Sequence, residues 1–386
     1  MGIIHFPIQF PHLAKRVWRT PHRTPHNAPF FPSSPLNSIS TAPFGFRRDL
    51  HRWQQLVTPA WLAALLAGTP LVAAPSRHWR LFEIGFDGSS AFAHGHIAGA
   101  GYIDTTQLEH GPLWNKVSDQ LLERCLLRHG IRHDVTVVLY GRNRLAAARA
   151  AHLMLYAGVK DVRLLDGGFV AWSRAGLPLA QGAAPPAVPL DDFGAAFPAH
   201  PEYMFDMHQA RSLLLQADGV LVSTRTWNEF IGATSGYSYI DARGDIPGAV
   251  WGRAGDDDDV HSMTEFHHAD GTMHSAAEIC RLWRGAGVRA DQHTVFYCGT
   301  GWRASLAFFY AWLMNWERIA VYDGGWCEWS RDCNNPVLCR TENAPQLRAH
   351  VFSGDALIHG RDGQRGRTAV VAAPHNDAHP CAWYRA

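Results

Sequence analysis

The chain has 386 residues and 42.8 kDa, with 47% hydrophobic and 18% charged residues; that is material for two or three ordinary domains and excludes global disorder. Lys+Arg 35 against Asp+Glu 34 leaves a formal charge of +1, which argues against binding nucleic acid through bulk positive charge. No apolar run reaches the ~18 residues of a membrane span, and seven cysteines at irregular spacing fit neither a disulfide scaffold nor a paired-cysteine zinc site.

The first 48 residues hold eight Pro, six Lys/Arg and no Asp or Glu, so residues 1–54 read as a Pro-broken, disordered extension. Arg47-Arg48 ahead of the apolar run Trp61–Ala74 has the outline of an export signal. Its position well inside the chain favours a plainer reading, a first helix from Pro59 to Ala67 stopped by Gly68 and Pro70.

From there short β-branched runs alternate with helical stretches, the pattern of an α/β fold with parallel sheets flanked by helices. An internal repeat organises it. Gly130–Gly141 returns as Gly287–Cys298 at an offset of 157 residues, and the same offset carries Asp166-Gly-Gly-Phe-Val-Ala-Trp172 onto Asp323-Gly-Gly-Trp-Cys-Glu-Trp329. Upstream, Gly95-His-Ile-Ala-Gly-Ala100 resembles Gly244-Asp-Ile-Pro-Gly-Ala249, shifted by an eight-residue insertion. Two copies of one unit are expected, 55–180 and 200–340. An Ala/Pro-rich linker at 181–199 joins them, and a weakly structured polar tail follows at 341–386.

The chemistry concentrates in the second copy. A buried strand is expected to end at Tyr297 and an apolar helix to begin near Ala304, leaving Cys298-Gly-Thr-Gly-Trp-Arg303 as the loop between them. Gly299 and Gly301 let successive N–H groups turn inward, an anion-binding nest above a helix N-terminus. Those donors and Arg303 favour a nucleophilic thiolate at Cys298. The first copy has Gly141 and Ala146 where the second has Cys298 and Arg303. One copy carries the nucleophile and the other does not.

On these residues the sequence resembles the rhodanese (sulfurtransferase) family over about 55–340. The resemblance rests on the Gly-His-Ile-Ala-Gly-Ala motif, the Cys298–Arg303 loop and Asp-Gly-Gly-aromatic near the end of each repeat. Gly232–Tyr239 and Trp251-Gly-Arg-Ala-Gly look most like a bacterial multi-domain branch of the thiosulfate sulfurtransferases. The resemblance implies two rhodanese-like domains, the first inactive and the second catalytic, with no metal or organic cofactor. Cys298 would take the outer sulfur of thiosulfate as a persulfide, release sulfite, and pass the sulfur to cyanide, a thiol or a protein thiol. Catalytic roles fall on Cys298 and Arg303, and substrate-binding roles on Gly299, Thr300, Gly301, Trp302 and Arg243. Thr300 and the Arg303 fork are the expected contacts of the sulfite. Trp302 reads equally as a pocket wall or as a residue packed on the neighbouring domain.

Three departures bear on the donor. The family's usual acidic residue on the strand Val220–Arg225 is Ser223, its second donor-binding arginine aligns with Glu229, and another falls near Ser238; Arg243 and Arg253 are the candidates to replace them. Mercaptopyruvate or another persulfide donor, and a non-catalytic sulfur-relay or binding module, stand as alternatives. A phosphatase is disfavoured by the four residues between Cys298 and Arg303, one fewer than phosphate-cleaving loops of this fold carry. His261, His267, His268 and His274 and the run Asp256–Asp259 read as polar surface loops in preference to metal sites. His96 is expected to order its loop, and Cys327, Cys333 and Cys339 to be incidental rather than resolving thiols. The lack of disulfide logic favours the cytoplasm, while the branch resemblance favours export to the periplasm.

Overall fold

The computed structural model describes residues 44–86, 88–255 and 259–341. The expectations for residues 1–43, Asp256–Asp258 and the tail beyond 341 lie outside the described residues.

The first unit runs β1 (Leu56–Val57), α1 (Pro59–Leu66), β2 (Trp79–Gly85), α2 (Ser90–His94), β3 (His96–Ile97), β4 (Gly101–Asp104), β5 (Glu109–His110), β6 (Asn115–Lys116), α3 (Asp119–Arg128), β7 (Thr136–Gly141), α4 (Arg144–Ala157), β8 (Asp161–Leu165), α5 (Gly168–Arg174) and β9 (Leu179–Ala180). The second runs β10 (Met204–Phe205), α6 (Met207–Leu213), β11 (Gly219–Ser223), α7 (Trp227–Ile231), β12 (Val250–Trp251), α8 (Ala276–Gly285), β13 (His293–Tyr297), α9 (Trp302–Leu313), β14 (Ile319–Tyr322) and α10 (Gly325–Trp329). Their main sheets have the orders β1-β8-β7-β2-β4 and β10-β14-β13-β11-β12, parallel throughout. These are the same topology written twice, the two parallel α/β units that the repeat implied. Both central strands are buried on each face, as a sheet covered by helices requires.

The two units share a core through α4 and α9, helices equivalent under the repeat. Every residue of α4 from Leu145 to Ala157 is buried, and every residue of α9 from Arg303 to Leu313. The sequences are complementary in size. Ala-rich turns of α4 leave room for Phe308, Phe309 and Trp312 of α9. Buried within this interface, His152 of α4 bonds the Tyr203 carbonyl through Nε2 at 2.9 Å. Burial first, then the nearby Arg149 charge, pushes its pKa down to about 3, so it packs as a neutral ring.

Two segment expectations change. Residues 44–54 are packed rather than part of a loose extension: Phe46 and Leu50 are buried, and Arg52 donates to the carbonyls of Leu313 (backbone N–H, 2.9 Å) and Trp312 (Nη1, 2.5 Å). Both carbonyls lie in the last turn of α9, where acceptors run short of intrahelical donors; Trp312 also accepts from the Asn315 N–H at 3.0 Å, and Arg52 ties the segment to this helix end. Residues 181–199 are likewise no free linker, because Phe193 is buried and the Leu190 N–H donates to the Leu127 carbonyl at 3.0 Å. Trp61 and Leu62 of α1 are fully buried beside β1, with Thr58 capping the helix at the Trp61 N–H (3.1 Å).

Candidate active site

β13 ends at Tyr297 and delivers Cys298 into the turn before α9, fully buried. The helix begins at Trp302, two residues earlier than its apolar run suggests, because Gly301 adopts φ +106° and serves as N-cap. The Gly301 N–H points back along the turn and donates to Cys298 Sγ at 3.2 Å. The sulfur therefore meets a main-chain N–H at the start of the helix, a donor of the kind that favours negative charge.

A second loop pins this one from below. The amides of Trp326 and Cys327, at the start of α10, donate to the carbonyls of Cys298 (2.8 Å) and Gly299 (3.0 Å). That approach requires Gly325: it sits at φ +52°, and a Cβ there would lie 2.6 Å from the Cys298 oxygen and 2.8 Å from the Gly299 oxygen. Gly325→Ala is accordingly expected to cost about 1–3 kcal/mol, the scale of a forced left-handed residue, and to displace the Cys298 carbonyl. Urea midpoints of the two proteins check this; an unaltered midpoint would refute the packing argument.

Arg303 is buried and its fork is already occupied. It forms a bidentate pair with Glu229 (Nη1–Oε2 2.8 Å, Nη2–Oε1 2.9 Å), and Nη2 also reaches the Tyr237 hydroxyl at 3.1 Å. Arg225 approaches the same carboxylate at 3.3 Å. Burial alone would raise the Glu229 pKa, but the two guanidiniums hold it down to about 2. Burial would in turn lower Arg303, and Glu229, Tyr237 and the Cys298 sulfur outweigh it. The fork expected to contact sulfite is thus engaged by Glu229 and Tyr237 in this structure, while Arg303 still lines the cavity above the loop.

The missing acid at Ser223 is also explained. In the first unit Glu83 pairs across the sheet with Tyr140, and in the second Ser223 pairs with Tyr297 in the same register. The carboxylate has moved to Asp245, the position His96 holds in the first unit. Asp245 accepts from Ser223 Oγ (2.8 Å) and from the Tyr297 hydroxyl, and lies 3.4 Å from Arg225.

Above the loop, between the two units, lies a cavity of about 350 Å³. Thr300, Trp302 and Arg303 line it, joined by Tyr237, Tyr239 and His261 from the second unit. The first unit supplies Phe86, Glu109, Trp114 and Arg142. Four of the rings form a chain, with centroids 5.8 Å apart for Phe86–Trp114, 6.1 Å for Phe86–Trp302 and 6.4 Å for Trp114–Tyr239. Trp302 does both things its position allowed: it walls the cavity, and its Nε1 donates to Glu109 of the first unit.

Arg243 is exposed and outside this lining, so it is not brought to the loop; Arg253 instead pairs with Glu265 at 2.8 Å. The histidines separate as well. His261 lines the cavity, whereas His267 is buried between the Met263 carbonyl (2.7 Å) and the Tyr310 hydroxyl (2.6 Å), not on a surface loop. His268 and His274 come near Glu278, whose carboxylate is engaged in the Ser275 cap. Cys327 is buried, and Cys333 and Cys339 are exposed.

The rhodanese-like domain model matches residues 58–175 and 206–332. The chain belongs to the rhodanese family, in tandem form. This rhodanese is 53% identical over 290 residues to the thiosulfate sulfurtransferase YnjE of Escherichia coli K12, a match covering 75% of the chain and 66% of YnjE. The crystal structure of YnjE superimposes with a TM-score of 0.73 at 52% identity, covering 75% of this chain and 69% of that one. The sulfur carrier protein TtuD of Thermus thermophilus is 31% identical over 259 residues, 63% of this chain and 85% of TtuD. An anaerobic ergothioneine biosynthesis enzyme from Chlorobium limicola, solved with its natural substrate trimethyl histidine, aligns with a TM-score of 0.72 at 37% identity, covering 75% and 71%. Membership of a sulfurtransferase family follows. Among the described residues no helix is long and apolar enough to cross a membrane.

Proposed function

We propose that this tandem rhodanese is a thiosulfate sulfurtransferase working through a Cys298 persulfide. The supporting observation is the Gly301 N–H directed at Cys298 Sγ, on a loop whose next residues open onto the cavity. The thiolate attacks the outer sulfur of thiosulfate, and the S–S bond breaks with its electron pair leaving on sulfite. The persulfide anion then sits among the loop amides. Cyanide or a thiol attacks the terminal sulfur, and Cys298 departs as thiolate. The first domain, with Gly141 at the equivalent position, has no nucleophile to offer.

The acceptor admits a second reading. A cavity of about 350 Å³ is the size of a site for an organic molecule. Its walls are aromatic, and Arg303 and Arg142 are each neutralised by a carboxylate, Glu229 and Glu83. Such a box suits a small organic cation through its ring faces, as the trimethyl histidine of the Chlorobium enzyme would require. Two assays decide between them: thiocyanate release from thiosulfate and cyanide, and mass-spectrometric detection of a thiolated trimethyl histidine with thiosulfate as donor. We expect the first at high turnover. Product only in the second would replace the simple-acceptor reading, and neither product would overturn the thiosulfate donor.

A further inference from the structure

The first domain lacks a nucleophile, yet one of its side chains reaches the catalytic loop of the second. Arg149, on α4, is fully buried. Its Nε donates to Glu109 Oε2 at 2.8 Å and its Nη2 to Asp323 Oδ1 at 2.5 Å. Nη1 has no hydrogen-bond partner among the described residues. The guanidinium lies against Gly301: a Cβ built there would stand 3.1 Å from Nη1 and 3.3 Å from Cζ. Gly301 is the residue whose N–H meets Cys298 Sγ.

Both carboxylates held by Arg149 continue into the loop. Glu109 accepts from Trp302 Nε1, fixing the residue that follows Gly301. Asp323 opens the Asp-Gly-Gly segment, whose downstream amides at Trp326 and Cys327 bind the carbonyls of Cys298 and Gly299. Asp323 is also held by the Lys116 N–H at 2.8 Å, again from the first domain. Burial would lower the pKa of Arg149, but Asp323 and Glu109 raise it, so the cation persists. The repeat does not return the gesture, since the residue of α9 equivalent to Arg149 is Leu306.

We infer that Arg149 is a positioning residue for sulfur transfer, and that through it the first domain sets the geometry of the Cys298 cradle. Its guanidinium clamps three points of one turn: Gly301 by contact, Trp302 through Glu109, and the amides under Cys298 through Asp323. A buried charge bridging two carboxylates is an exacting arrangement, because either carboxylate is left uncompensated without it. The inference rests on the proposed function for its activity readout but not for its structural one.

Arg149→Lys keeps the charge without the span needed to hold both carboxylates, Arg149→Met removes the charge, and Leu153→Ala withdraws buried volume from the same helix. For each full-length protein we would measure thiosulfate KM and kcat, thermal midpoint, and hydrogen exchange of the peptide covering 298–303. Arg149→Lys is expected to lower kcat about tenfold with KM within about twofold, and to speed exchange in that peptide about tenfold. Leu153→Ala is expected to lower the thermal midpoint while leaving kcat within about twofold. If Arg149→Met fails to fold, Arg149→Lys alone decides. Unchanged exchange in 298–303, or a kcat loss no larger than that of Leu153→Ala at matched stability, overturns the inference. Should the wild type not turn over thiosulfate, the functional reading fails, while the exchange measurement still rules on Arg149.

Discussion

Cys298→Ser is expected to abolish thiocyanate formation from thiosulfate and cyanide while leaving the fold intact. The loss should be on the order of 10⁴-fold or more, the scale at which removing a covalent nucleophile acts. An alkoxide is not accessible to serine near neutral pH, and a hydroxyl cannot accept and release sulfane sulfur as a thiolate does. The fold should survive because what secures this position is main chain. The Cys298 carbonyl accepts from Trp326 and the preceding Tyr297 carbonyl accepts from Thr224, and neither contact involves the sulfur. Wild-type protein incubated with thiosulfate should gain the mass of one sulfur atom on the peptide containing Cys298, a gain absent from the variant. Retained turnover in Cys298→Ser would remove the persulfide mechanism outright.

The position of Cys298 was legible because an ungapped repeat and a strand–Cys–Gly pattern are local features. Gly130–Gly141 and Gly287–Cys298 align without a gap, so strand register and loop position transfer from one copy to the other. What escaped was every contribution made across distance. Glu229 and Arg303 are 74 positions apart and meet only because β11 and β13 are sheet neighbours. The carboxylate lost at Ser223 reappears at Asp245 in a different motif, visible only once both face Tyr297. Glu109, Trp114 and Phe86 belong to the copy without a nucleophile and reach the cavity because small residues on α4 let α9 come close. Arg243 lies outside the cavity for the converse reason: closeness in sequence to Glu229 and Ser238 carries no information about which way a loop side chain faces. Composition misplaced residues 44–54 similarly, since Pro and missing acids describe residues 1–43 and say nothing of a few apolar side chains that find a groove.

Glu229 is the position where stability and donor affinity should move in opposite directions. Its carboxylate is fully buried between Arg303 and Arg225 and also accepts from the Thr226 N–H at 2.9 Å. Glu229→Gln keeps the shape and deletes the charge, leaving two buried guanidiniums without their shared counter-ion. Breaking a buried pair from one side costs about 3–5 kcal/mol, on the order of 10 °C in thermal midpoint for domains of this size. The pH dependence identifies the cause. Because the folded pKa, about 2, lies below the ordinary 4.5, the ionised group contributes stability that is complete above about pH 4.5 and disappears as pH falls toward 2. The stability gap between wild type and Glu229→Gln should therefore be constant from pH 5 to 8 and close on acidification. At the same time the variant frees the Arg303 fork toward the cavity and leaves the site more positive. Thiosulfate, a dianion, should then bind more tightly, with KM falling by about threefold to tenfold at low salt. Equal stability of the two proteins at pH 7 would show that the Glu229 pair is energetically neutral. A KM that rises would mean that Arg303 needs its carboxylate partner to stand correctly beside Cys298.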